Sequence, residues 1–129
     1  MYETWTVGDA QQPGADGDDQ PASNATKTSG SDLPAPETLE EKDYVLFIHG
    51  WNMYGWEKEA FASSMFKRMW HQGYKGRFGA FRWPTRYAFG LNGWDTSLVP
   101  EHYNYSEIRA WKSAAPLAGL INGLSGTFR

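Results

Sequence analysis

A chain of 129 residues with a formal net charge of −3 has room for one modest domain. It contains no cysteine, which excludes a disulfide framework and a thiolate metal site. Its bases do not gather into a stripe, so it lacks the electrostatic footprint of a nucleic-acid binder.

The charge is unevenly placed. Residues 1–42 hold nine acids and only two bases, Lys27 and Lys42, whereas residues 43–129 hold ten bases and six acids. His49, His71 and His102 show no short ligand spacing, so no metal and no cofactor are expected. Met1-Tyr2-Glu3 opens neither a basic nor an apolar leader region, so a signal peptide is not expected. The longest clean apolar run, Tyr44–Ile48, falls far short of the roughly 20 residues a membrane span needs. Compartment and oligomeric state are left open.

Tyr2–Val7 (Y-E-T-W-T-V) alternates aromatic and β-branched residues with polar ones, a weak strand signal. It fits either an ordered scrap of tail or the last strand of a preceding domain. Gly8–Glu41 is rich in Gly, Pro, Ala, Ser, Asp and Gln, with Leu33 and Leu39 its only large apolar residues. Such a stretch cannot bury enough surface to offset its conformational entropy. Residues 1–42 therefore read as a flexible acidic linker or tail.

Tyr44-Val45-Leu46-Phe47-Ile48 is a continuous apolar run ending at His49-Gly50, the pattern of a strand buried on both faces of a parallel sheet. Trp56–Gln72 has helical spacing, with Phe61, Met65, Phe66 and Met69 as its apolar stripe. Glu57 and Glu59 lie in its first turn, Lys67, Arg68 and His71 toward its end, and Gly73 suits the position just past it. Arg77–Trp83 is a second strand stopped by Pro84, weakened by Gly79 and two arginines. Strand, helix and strand form a right-handed βαβ unit.

Residues 85–103 form a long aromatic loop, either a wall over a binding pocket or a surface insertion. Asn104–Leu124 is a second helix, with Asn104 and Glu107 as a capping pair. Its expected buried face is Ile108, Trp111, Ala115, Ala118 and Ile121, with Leu117, Leu120 and Leu124 one position off, and Pro116 is expected to kink it.

The chemistry concentrates in His49-Gly50-Trp51-Asn52, at the carboxyl end of the first buried strand, where α/β sheets place their ligand crevices. Gly50 permits a sharp turn, which can aim the Trp51 backbone N–H into the crevice. Such a donor stabilises a developing oxyanion in acyl transfer. The plain reading is a strand–turn–helix connection in which His49 and Asn52 hydrogen-bond the loop.

V-L-F-I-H-G-W-N, then a helix, then F-R-W-P-T, then a second helix, resembles α/β-hydrolase domains, closest to a bacterial esterase/lipase-like group, over about Tyr44 to Leu124. The resemblance implies an α/β fold with an incomplete hydrolase-type parallel sheet over residues 43–129, in which the strand before His49 is central. It implies that Trp51 supplies one oxyanion N–H, and that His49 is structural rather than the catalytic base. Such enzymes place a nucleophile, usually Ser in G-x-S-x-G, on the next strand and turn. Gly123-Leu124-Ser125-Gly126-Thr127 does not fit that pattern: its second glycine falls one residue early and no apolar strand precedes it. Asp95 and His102 precede the nucleophile position, the wrong order for the acid and base.

The expectation is therefore part of a serine-type hydrolase of esters or related acyl bonds, carrying the oxyanion loop and truncated before the nucleophile. Its partner would be a small-molecule ester or acyl substrate, and the chain alone would be inactive. The alternative is a non-catalytic binding or scaffold domain of the same fold.

Overall fold

The computed structural model describes residues 1–8, 21–51, 53, 55–85 and 99–129, with backbone alone over 99–105. The elements in chain order are β1 (Tyr2–Thr6), β2 (Thr26–Ser29), β3 (Tyr44–Ile48), α1 (Gly55–His71), β4 (Arg77–Arg82) and α2 (Val99–Ser125). The strands form one sheet in the order β2-β1-β4-β3. β1, β4 and β3 run parallel, and β2 lies antiparallel on β1. α1 covers one face and α2 the other, giving a small three-layer α/β arrangement. No helix among the described residues is long and apolar enough to cross a membrane.

The βαβ unit forms as its residue pattern dictates. β3 keeps the bounds of its apolar run, and α1 ends in paired hydrogen bonds: Gly73 N–H to Trp70 C=O and Tyr74 N–H to Met69 C=O, both 3.0 Å. Gly73, at φ 90°, supplies the left-handed residue that this helix ending requires. The two faces of the sheet hold separate cores. Ala62, Phe78 and Ala80, with Phe66 and Met69, fill the α1 side; Val7, Phe81 and Leu120, with Leu117 and Leu124, fill the α2 side.

Several expectations are corrected. Tyr2–Thr6 is neither a scrap of tail nor part of a preceding domain: it pairs with β4 along its whole length, Tyr2 opposite Phe78 through Thr6 opposite Arg82. The acidic linker reading fails over residues 1–8 and 21–42, while residues 9–20 lie outside the described residues. Thr26–Ser29 is a strand, Thr4 Oγ1 bonds Thr28 Oγ1 and Ser29 Oγ at 2.7 Å, and Glu41 accepts the Glu37 and Thr38 N–H groups. The segment has too few apolar residues for a core of its own, but a sheet edge supplies one.

β3 lies at one edge of the sheet among the described residues. In α1, Phe66 and Met69 face the sheet as expected, but Phe61 and Met65 are exposed. In α2, Ile108, Trp111 and Ile121 face outward, and Ser106, Arg109, Ser113, Pro116 and Leu120 are buried instead. The helix runs through Asn104, so that residue is not its N-cap.

A polar network links β1, β4 and β3 on the α2 face. Glu3 is fully buried. Its carboxylate accepts from the Tyr44 hydroxyl, from Trp5 Nε1 at 3.1 Å and from Lys27 Nζ at 2.7 Å, and Arg77 stands 3.7 Å away. Gly79 lies opposite both Glu3 and Leu46. A Cβ there would collide with the Tyr44 ring, so glycine opens the path by which Tyr44 crosses β4 to reach Glu3.

Burial, then the hydrogen bond and charge of Glu3, push the Tyr44 phenol above its ordinary value of 10.0. Burial likewise raises Tyr2 and Tyr74. The folded chain thus holds these protons more tightly than the unfolded chain does. The associated stability is complete below the ordinary tyrosine range and is lost progressively as pH rises from that range toward the raised folded values. Urea midpoints are expected to fall between about pH 9 and 11, and Tyr44→Phe should flatten that fall; an unchanged slope in the variant would remove Tyr44 from the account.

Candidate active site

α2 ends at the amino end of β3, where Phe128 packs edge-on against Tyr44 with ring centroids 5.0 Å apart. The amino-terminal half of α2 therefore lies toward the carboxyl ends of the parallel strands. There the chain leaves β3 through His49-Gly50-Trp51 and leaves β4 through Trp83-Pro84-Thr85. Neighbouring parallel strands make these two exits adjacent, which is how an open α/β sheet forms a crevice.

His49 braces the two exits. It is buried, and its ring stacks on Trp83 with centroids 5.4 Å apart and planes 5° apart. Its Nδ1 lies 2.8 Å from Gly50 O, and its Nε2 lies 3.1 Å from both the N and O of Trp83. The tautomer with the proton on Nδ1 satisfies both sides, donating to the Gly50 carbonyl and accepting the Trp83 N–H. Trp83 Nε1 returns a bond to the His49 carbonyl at 3.0 Å. Thr85, also buried, donates its hydroxyl to Met53 C=O at 3.3 Å. His49 so placed is a loop brace, with its ring nitrogens directed at backbone.

Trp51 follows directly and is exposed. Gly50 corrects one expectation: it is absent from the left-handed glycines, and a Cβ there would meet open space. The turn therefore does not depend on glycine's backbone freedom. Asn52 lies outside the described residues, as do Asp95 and most of the aromatic loop; the His102 side chain is likewise not described. Ser125 closes α2 at the far end of the sheet, with its hydroxyl donating to Asn122 C=O at 2.8 Å.

Sequence reasoning missed two buried cations. Lys58 is 2 % exposed and donates to Trp83 C=O at 3.2 Å. Arg109 is also buried, on the α2 face that carries Ser106 and Ser113. A signal was available. Lys58 is four residues before Ala62, and Arg109 and Ser113 share a helical face with Pro116 and Leu120, so both bases sit in register with an inward stripe. Long side chains of this kind lay their methylene stems against apolar surface, and the Lys58 ammonium thereby reaches the Trp83 carbonyl at the β4 exit.

Comparison of the chain with protein-family models, with curated proteins and with solved structures gives no match.

Proposed function

We propose that the exits of β3 and β4 form the oxyanion side of an acyl-hydrolase site, with the Trp51 backbone N–H as the donor, in a chain resembling the opening part of an α/β-hydrolase domain. The observation that supports this reading is the bracing of one loop by the other. His49, Trp83, Thr85 and Met53 hold the backbone around Trp51 by hydrogen bonds, and a donor stabilises developing charge well only when it is fixed beforehand. The substrate class is an ester or related acyl compound. Nucleophile, acid and base are assigned to none of the described residues, so the chain alone is expected to leave short p-nitrophenyl esters unhydrolysed above background.

The second reading, a non-catalytic binding module, is favoured by one observation: Trp51 and Trp56 are both exposed near the crevice mouth, Trp56 by 70 %, and exposed indoles suit stacking on a ligand.

Methylphosphonate, a tetrahedral oxyanion, separates the two. Its titration followed by amide chemical shifts should move Trp51 saturably. Trp51→Pro removes the N–H and should weaken binding by about tenfold or more, the worth of one hydrogen bond to a charged group. Trp51→Phe keeps the backbone donor and should bind within about twofold of the parent. Equal loss in both variants would transfer the role to the indole and favour the binding module. No response at Trp51 would end the oxyanion assignment.

A further inference from the structure

A cleft of about 430 Å³ opens between α2 and the β1–β2 side of the sheet, and no described residue of the β3 or β4 exit lines it. That volume lies in the range of small-molecule sites. Its sheet wall follows from strand register. By alternation along β1, Glu3, Trp5 and Val7 share the face turned to α2. Lys27 of β2 is paired opposite Trp5, so its side chain rises on that same face. Lys27 Nζ lies 4.7 Å from the centroid of the Trp5 ring and 2.7 Å from Glu3, and the side chain keeps 28 % exposure.

The opposite wall is almost without side chains. Pro116, Gly119 and Gly123 of α2 line the cleft, and their spacing puts them on one helical face. A Cβ on Gly119 or Gly123 would meet nothing within 4 Å. The helix therefore offers bare backbone across from the Trp5 indole, with room between them.

The charge on the sheet wall is unbalanced. Two cations, Lys27 and Arg77, share the single carboxylate of Glu3. That carboxylate is wholly buried and already accepts from Tyr44, Trp5 and Lys27. Arg77 is 5 % exposed, and its Nε has no hydrogen-bond partner. Buried cations are costly unless paired, and this cluster is one negative charge short. Lys27 is the member that brings the excess to the cleft.

We infer that the cleft binds a small aromatic carboxylate. The ligand carboxylate pairs with Lys27 Nζ and completes the charge of the cluster. The ring lies between the Trp5 indole, on which it stacks with an offset, and the bare backbone at Gly119 and Gly123, which leaves the thickness a ring needs.

The test titrates the whole chain with 2-naphthoate, with its neutral analogue 2-naphthylmethanol and with acetate, and follows the Trp5 indole N–H and the Gly119 and Gly123 amides by chemical shift. 2-Naphthoate should move these signals saturably and bind at least about tenfold more tightly than the neutral analogue, the worth of a hydrogen bond to a charged group. Acetate, lacking the ring, should bind far more weakly. Lys27→Met should remove the advantage of 2-naphthoate over 2-naphthylmethanol. Gly119→Leu fills the cleft from the helix side and should abolish binding of both ring compounds. Its melting midpoint should hold or rise, because leucine is the better helix former and enters open space. Equal binding of 2-naphthoate and 2-naphthylmethanol, no saturable response at Trp5, or a response centred on Trp51 would overturn the inference. So would a marked fall in the melting midpoint of Gly119→Leu, because the chain itself would then fill the cleft.

Discussion

Replacing Glu3 by alanine is expected to lower unfolding free energy by about 3–5 kcal/mol, the range for removing one partner of a buried, hydrogen-bonded charge pair. Glu3 is fully buried, and the Lys27 and Arg77 side chains that face it are 28 % and 7 % exposed. Alanine leaves the two cations without their anion and leaves the Tyr44 hydroxyl and Trp5 Nε1 without their acceptor. Glu3→Gln keeps an acceptor and the volume, and is expected to cost about 1–3 kcal/mol. Gly79→Val attacks the same network from β4 by displacing the Tyr44 ring, so its effect should be smaller in a Glu3→Ala background than alone. Urea midpoints at constant m-value give all three numbers. A Glu3→Ala loss below about 1 kcal/mol would mean that solvent reaches and compensates the cluster.

A chain begun at Asp43 is expected not to fold cooperatively. It keeps the complete βαβ unit and both helices but loses β1 and β2. β4 then becomes an edge, and Phe78 and Phe81 lose the neighbouring strand that helps bury them. Val7 leaves the α2-side core and Tyr2 leaves its ring contacts with Phe66 and Phe78, at 5.5 and 5.8 Å. Domains of this size have only about 5–15 kcal/mol of net stability, and the loss of one central strand exceeds what that margin tolerates. Near-ultraviolet circular dichroism with thermal melting decides the matter. A sharp transition and native aromatic signal from residues 43–129 would show that β1 is an accessory strand.

The parts legible in the sequence are those where a single local signal dominates. Tyr44–Ile48 is an unbroken apolar run, Trp56–Gln72 has a helical stripe and a glycine stop, and Pro84 lies just beyond the second strand. Long-range pairing decides what was read wrongly. Tyr2–Thr6 carries a weak alternating pattern that takes its meaning only from β4, seventy-odd residues away. Thr26–Ser29 has no large apolar residue and is held by hydroxyls and by the Lys27–Glu3 pair, which composition does not weigh. Gly79 counts against a strand by propensity, yet it is the gap that admits Tyr44.

α2 offers two competing faces. The bulkier one, with Ile108, Trp111 and Ile121, is the natural choice from hydropathy, while the one turned inward carries Ser106, Arg109 and Ser113. The candidate site was legible as a location, because a strand running into His49-Gly50 marks a carboxyl end. Its bracing was not, because the contacts between His49 and Trp83 join residues 34 apart.

The adjacency of β1 and β4 also fixes an order of events in folding. The hydrogen bond from the Met1 amino group to Gly76 C=O spans 75 residues, so β1 can pair with β4 only by closing a long loop. β3, α1 and β4 are contiguous and close their contacts over short loops, whereas β1 must wait for β4 to leave the ribosome, several seconds at a typical rate of roughly 5–20 residues per second. Contacts of such separation slow folding, because loop-closure entropy is lost before they form. During that interval Tyr2, Trp5 and Val7 remain solvent-exposed on a nascent strand beside the acidic stretch that follows, whose like charges discourage pairing with other chains.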